Sequence, residues 1–425
     1  MVPVGRLLPA AALWVALGTA LGTVGCAGSL PSSDGESASA PRVLPARWCG
    51  RHILVTALAA GDSARTLTMI LDTGSTHNVV DPAALRRIGI DEGDVGSTVR
   101  MASLDVGALR LSNVPLWVQE LDLVSRTIGA PVDGILGYPT FRSTVLTLDY
   151  PAKEVRVTPS AAPMPRAETV LRLKGGRRRP WVELRVGDRT QTVLIDSGSG
   201  KGFSLSGDRL RWHTEPASVG VLTGFRGLEP LEVGRLADDI VVGAVRFERP
   251  IVRRVDDGIP LIGAEVLRHF VVTIDGPRDR IRFAPEASAD ARGGAEAGAD
   301  TEVRADAEAL ARAQASADTE PSASGQRDSE PQVTIPPEPL RGFGVGWKPT
   351  AAGMEVVFLM PGGAGERGGL ELGDRVVAVN GRAVLAPDRC ESSFDPERSA
   401  EWTVVRGEDR FRVFVAPEDL VPGIW

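Results

Sequence analysis

Cysteine is almost missing from this chain, with three residues in 425, at positions 26, 49 and 390. So few thiols, so widely spaced, exclude a disulfide-stapled mini-fold and a cysteine-rich metal site. Histidine is equally sparse. His52, His77, His213 and His269 are scattered without ligand spacing, so neither a metal nor a cofactor is expected. Basic excess is lacking too: 48 Lys and Arg stand against 55 Asp and Glu, a formal charge of -7. Residues 286 to 330 alone hold 11 acidic and 4 basic side chains, which leaves the rest of the chain neutral. No nucleic-acid partner is expected, and Arg178-Arg179 reads as a solvated turn before a strand. What the chain does have is 48 Gly, 31 Pro and many Val-rich alternating segments, the pattern of a mainly β protein rich in turns. Its length suffices for two or three domains with full cores.

The amino terminus reads as an export signal over residues 1 to 26. Arg6 precedes an apolar stretch from 7 to 24, and small residues lead to Cys26. The run Leu21-Gly22-Thr23-Val24-Gly25-Cys26 resembles a bacterial lipoprotein box, differing from it at Thr23. That resemblance implies lipidation of Cys26, membrane attachment through the lipid and a place in the cell envelope; simple cleavage or an uncleaved anchor are the alternatives. Residues 27 to 46 then form a flexible Ser/Gly-rich tether. Cys49 and Cys390 lie in different expected domains. A disulfide between them needs a specific interdomain contact, so the sequence reads them as two isolated thiols.

One tetrapeptide pattern occurs twice, Asp72-Thr73-Gly74-Ser75 and Asp196-Ser197-Gly198-Ser199, each after an apolar run. Later in each copy, Leu136-Gly137 and Ile262-Gly263 lead twelve residues on to Asp149 and Asp275. Equivalent positions are offset by 124 to 126 residues, which signals an internal duplication. Copy one is expected over 47–158 and copy two over 168–284. Residues 285–337 are rich in Ala, Glu, Asp and Ser and cannot form a core, so a disordered acidic linker is expected, with at most a marginal helix near 305 to 315. In the first copy Asp81 followed by Pro82 predicts a helix start, with Asp81 as the cap.

Two carboxylates on matching turns suit hydrolysis of an amide by water, which needs one base and one acid. Held close together they cannot both ionise cheaply, so one stays protonated beside an ionised partner. Glycine lets each turn fold tightly against a carboxylate, and the hydroxyls of Thr73, Ser75, Ser197 and Ser199 are available to bond across the turns or to the outer carboxylate oxygens. At these residues the chain resembles the aspartic proteases of the retropepsin-like and pepsin-like group. Their signature is D-[ST]-G-[ST] plus a later glycine after paired aliphatics, here Asp133-Gly134-Ile135-Leu136-Gly137 and Pro260-Leu261-Ile262-Gly263. The resemblance covers residues 50 to 284. It implies a bilobal double-lobe β fold whose lobes pair within one chain, catalytic Asp72 and Asp196 activating one water, and a protein or peptide substrate.

The copies differ in one informative way. From aspartate to hairpin glycine is 35 residues in the first (Asp72 to Gly107) and 47 in the second (Asp196 to Gly243). The extra length, 218 to 234, carries Gly220, Gly224 and Gly227 among apolar residues and predicts a hairpin flap on lobe two. Pepsin-like enzymes carry a flap tyrosine on lobe one, and neither Tyr138 nor Tyr150 is placed there. Asp149 and Asp275 read as turn initiators. The string Gly198-Ser199-Gly200-Lys201-Gly202 lacks the spacing and the Ser/Thr of a phosphate loop.

Residues 338–425 form a different module. Gly342-Phe343-Gly344-Val345, the strand near 354 to 359, and Gly373-Asp374-Arg375-Val376-Val377-Ala378-Val379-Asn380-Gly381 resemble a PDZ domain of the bacterial kind, an α+β fold. The resemblance implies a loop, 342 to 345, that presents backbone amides to a C-terminal peptide ligand. Pro396 falls where the family has its groove helix, so that helix is expected to be short or broken, and the module is either a peptide binder or a structural appendage. No G-N-S-G-G-like site supports a PDZ-bearing serine protease. The remaining alternative to an endopeptidase is a catalytically inactive, envelope-tethered adaptor whose lobes and PDZ module only bind peptides.

Overall fold

The computed structural model describes residues 28–29, 41–60, 62, 64–90, 94–158, 170–174, 178–207, 210–224, 227–256, 258–285, 333–384, 390 and 394–421. The expected lipidation site Cys26, the signal segment and the expected helix at 305 to 315 lie outside these residues. The architecture is mainly β.

In lobe one, His52–Ala59 and Thr66–Asp72 form an antiparallel pair buried on both faces at its middle, Ile53, Val55, Met69 and Leu71 on one side and Leu54 and Ile70 on the other. Thr66–Asp72 then takes Gly134–Gly137 as a parallel neighbour, and Asn78–Val80 and Leu109–Val118 extend the sheet. Thr98–Val106 pairs with both His52–Ala59 and Leu109–Val118, which closes the lobe into a barrel-like shape. The helix Pro82–Arg87 begins as its sequence predicts: the Asp81 carboxylate accepts from the Ala83 N–H at 2.7 Å, and Pro occupies the first turn.

Lobe two repeats this plan in a ten-stranded sheet, with Trp181–Val186 and Arg189–Asp196 in place of the first pair and Leu261–Gly263 as the parallel neighbour. Its added segment is a long hairpin, Trp212–Gly224 with Gly227–Leu236, at the position where the sequence predicts one.

A six-stranded sheet joins the lobes from below. At its centre Val145–Asp149 pairs antiparallel with Phe270–Asp275, and Thr147 stands opposite Thr273. These threonines are equivalent in the duplication, so a pseudo-twofold axis passes between them. Asp149 and Asp275 end these strands and do initiate turns, accepting from the N–H groups of Ala152 and Arg278.

Two expectations are corrected at the ends of this unit. The tether 27–46 is not all free, because Arg42–Val43 adds a strand to the six-stranded sheet and Ala46–Cys49 pairs with His52–Ala59. The linker 285–337 is likewise structured at its end: Val333–Ile335 joins lobe two as a parallel strand beside Val245–Phe247. In both places an open sheet edge supplies backbone partners that local sequence cannot reveal.

The carboxy-terminal module, expected to be PDZ-like, is a five-stranded sheet of Val345–Thr350, Gly353–Leu359, Arg375–Val379, Ala400–Arg406 and Asp409–Val415, with Arg382–Ala383 added at one strand. Trp402 is its fully buried centre, flanked edge-on by Phe343 and Trp347. No helix occurs among the described residues of 388 to 400; Phe394 instead stacks on Trp347 at 4.5 Å.

This module rests on both lobes. Its strand Val345–Thr350 lies against the lobe-two strand Trp212–Gly224 and near the lobe-one helix Asp122–Ile128. Gly346 makes this possible: a β-carbon there would stand 2.7 Å from Val221 Cγ2 and 3.0 Å from Val221 N. Val219, Val233 and Val421 form a small apolar seam, and the buried Arg235 donates to the carbonyls of Arg249 and Glu338 at 3.0 and 2.6 Å.

Candidate active site

Asp72 and Asp196 sit at the ends of two strands whose apolar residues are locked into the lobe cores, so each carboxylate is delivered by a rigid element. Gly137 pairs with Asp72, and Gly263 with Asp196, in the parallel neighbours. Side chains are excluded at both glycines. A β-carbon on Gly137 would stand 2.5 Å from the His77 carbonyl, and one on Gly263 would stand 2.4 Å from the Lys201 carbonyl.

The two turns are bolted together by reciprocal bonds. Thr73 Oγ1 donates to the Ile195 carbonyl at 2.7 Å and accepts from the Ser197 N–H at 3.0 Å. Ser197 Oγ donates to the Leu71 carbonyl at 2.9 Å and accepts from the Thr73 N–H at 3.0 Å. All four are buried bonds, each worth about 1 kcal/mol.

That network brings the two carboxyls close enough to shift one another's titration, both only partly exposed. Each turn glycine faces the opposite aspartate. A β-carbon on Gly74 would lie 2.5 Å from Asp196 Cγ, and one on Gly198 would lie 2.3 Å from Asp72 Cγ. Asp72 Oδ1 accepts from the N–H groups of Gly74 and Ser75 at 2.8 and 3.0 Å. Ser75 Oγ donates instead to the His77 carbonyl, and Ser199 Oγ accepts from the Lys201 N–H, so these two hydroxyls shape the turns and do not touch the carboxylates.

The pair is electrostatically uneven. Burial, followed by the charge of Asp196, raises Asp72 well above the usual carboxylate range. Burial also raises Asp196, but the neighbouring Asp72 carboxyl, the N–H groups of Ser199 and Gly198, and the charge of Lys201 oppose the rise. Both carboxyls are raised, and two carboxyls this close cannot both ionise cheaply, so the pair is suited to share one proton.

Three neighbours of the dyad have no signal in the sequence pattern. His52, on the strand His52–Ala59 of lobe one, packs against Gly200 and lies near the Gly198 backbone; burial is the chief cause that lowers its pKa. Lys201 is pushed down to about 8, chiefly by burial and then by Arg253, while Glu229 and Asp196 oppose. Tyr150 is raised, by burial first and then by the charge of Asp196. Beside the second turn, Arg51 of lobe one forms an ion pair with Glu265 of lobe two.

In the expected PDZ loop, Gly342 closes the pair with Glu418–Val421, Phe343 is buried in the domain core, Gly344 takes the left-handed conformation at φ 64°, and Val345 opens the edge strand.

Residues 55–140 match a family model described as aspartyl protease, and residues 332–386 match the PDZ domain model. The chain thus carries an aspartyl-protease-like segment and a PDZ domain. A comparison with curated proteins finds no match. Among solved structures the chain is similar to a retropepsin-like aspartic protease from Rickettsia conorii, at 13% identity, covering 28% of this chain and 90% of that one with a TM-score of 0.22.

Proposed function

We propose that this chain is an aspartic endopeptidase in which Asp72 and Asp196 activate one water for attack on a peptide carbonyl. The observation that carries the reading is the reciprocal two-turn junction that sets each turn glycine against the opposite carboxyl, with both carboxyls raised by burial. Asp196, ionised, takes a proton from water as its oxygen adds to the carbonyl carbon. Asp72 gives its proton to the carbonyl oxygen, and a proton then passes to the amide nitrogen as the C–N bond breaks. Only groups already bonded to the turns move protons, so little reorganisation accompanies the step.

The substrate is an extended peptide segment, and the lobe-two hairpin Trp212–Gly224 with Gly227–Leu236 is its covering flap. The loop 342 to 345 of the PDZ domain receives a C-terminal peptide through its backbone amides. Export, with lipidation of Cys26 at the cell envelope, completes the proposal on the strength of the amino-terminal residues.

The test is digestion of an unbiased peptide pool by the wild type, Asp72→Asn and Asp196→Asn, each with and without a general aspartic-protease inhibitor. Cleavage by the wild type alone, blocked by the inhibitor, supports the proposal. Equal cleavage by either variant would sink it. Binding of peptides without cleavage at any pH would favour the adaptor reading.

A further inference from the structure

Cys49 and Cys390 are the two cysteines among the described residues, and both are free thiols. Cys49 ends a lobe-one strand in a pocket of Leu54, Ile70, Leu121, Val132 and Ile135, and its Sγ donates to the Ile128 carbonyl at 3.7 Å. Cys390, from the PDZ domain, packs against this same pocket. Its carbonyl lies 3.8 Å from the position of a β-carbon on Gly50, the residue after Cys49. Cys390 lies close enough to Cys49 to add to the rise of its thiol pKa. Far from being isolated, they meet across a domain boundary, and Cys390 keeps partial exposure while Cys49 is buried.

We infer that Cys49 and Cys390 are a disulfide-forming pair that ties the PDZ domain covalently to lobe one when the chain meets a small-molecule or protein disulfide as oxidant. The step balances as thiol–disulfide exchange. The Cys390 thiolate attacks the oxidant disulfide and expels one thiolate, which takes up a proton; Cys49 then attacks the Cys390 sulfur of the mixed disulfide and releases the second thiol. Two protein thiols lose two electrons and two protons, and the oxidant disulfide becomes two thiols. The order follows from environment. Burial first, then the neighbouring Cys390 thiol, pushes Cys49 up to about 12, so the partly exposed Cys390 attacks and Cys49 resolves.

The consequence reaches beyond one domain pair. Because Val221 of the lobe-two hairpin is seated on Gly346 of the same PDZ domain, one covalent bond to lobe one holds that domain against both lobes. An exported protein meets disulfide oxidants, and the inference itself does not depend on catalysis by Asp72 and Asp196.

The experiment uses the full chain carrying Cys26→Ser, reduced and then exposed to glutathione disulfide. Both remaining thiols should disappear under denaturing titration, and a non-reducing digest should contain one intramolecular link between the Cys49 and Cys390 peptides, with the protein monomeric on a non-reducing gel. Adding Cys49→Ser should trap one glutathione on Cys390. Adding Cys390→Ser should leave Cys49 unmodified, or modified at least about tenfold more slowly. Two free thiols after oxidation, separate adducts on both cysteines, or a link only between two molecules would overturn the inference. Each readout is a mass or a thiol count, so inactivity toward peptides would leave it standing.

Discussion

At the scale of single residues the two aspartates, though they come from one repeated turn, are inequivalent. Replacing either by Asn removes one half of the acid–base pair, and peptide cleavage should fall by about 10²- to 10⁴-fold in initial-rate assays. Stability should move the other way for Asp72→Asn. A carboxyl whose folded pKa is raised binds more protons folded than unfolded, so wild-type stability declines as pH climbs from the unfolded pKa through the raised one. The variant lacks that decline, and its melting temperature should gain on the wild type between pH 4 and pH 7; an equal pH dependence in both proteins would refute the electrostatic account. Lys201 helps hold Asp196 ionised and is itself charged below about 8. Lys201→Met should therefore shift the acid limb of the kcat/KM profile to higher pH, and a shift to lower pH would contradict this. The dyad and its glycines were legible in the sequence because a turn chemistry repeated at a fixed offset leaves a local trace. His52, Lys201 and Tyr150 left none: what matters for them is the distance to another strand or to the opposite lobe, which no spacing encodes.

At the scale of elements, the strongest local device in the PDZ domain is the turn before Arg375–Val379. Asp374 is fully buried and accepts from Arg406 at 2.7 and 2.8 Å and from the Glu371 N–H at 2.9 Å. Burial works to raise its pKa, but the hydrogen bonds from Arg406 and Glu371 prevail and hold it below the usual carboxylate range. A depressed folded pKa gives stability that is present above the unfolded value and lost as pH falls through the folded one. Asp374→Ala should cost on the order of 2 kcal/mol at neutral pH and flatten the acid unfolding of the domain, followed by tryptophan fluorescence. An unchanged acid midpoint would count against the pairing. Hairpins and the capped helix at Pro82–Arg87 were readable from glycine, proline and alternation, since these residues constrain their own backbone. The strands Arg42–Val43 and Val333–Ile335 were not, because they are recruited by open sheet edges and owe little to their own residues.

At the scale of the whole molecule, the PDZ domain and the lobe-two hairpin form one packed unit. Gly346→Val would place a β-carbon 2.7 Å from Val221 Cγ2 and 2.8 Å from Phe358 Cβ, forcing the seam to open. Overpacking of this kind costs about 1 to 3 kcal/mol, so hydrogen exchange across 212 to 224 and 227 to 236 should quicken while Ala400–Arg406 keeps its protection. Unchanged exchange in the hairpin would show that the seam does not restrain it.

The amino-acid sequence by itself determined the duplication, the mainly β class, the acidic turns with their glycines, and the separate PDZ module. Each of these is a short-range or periodic property of the chain. Only the tertiary structure decided how closely the two carboxyls meet, where the PDZ domain rests, and that Cys49 meets Cys390. Burial, charge–charge distance and close backbone approach are set by residues far apart along the chain, and they exist only once the lobes have closed on one another.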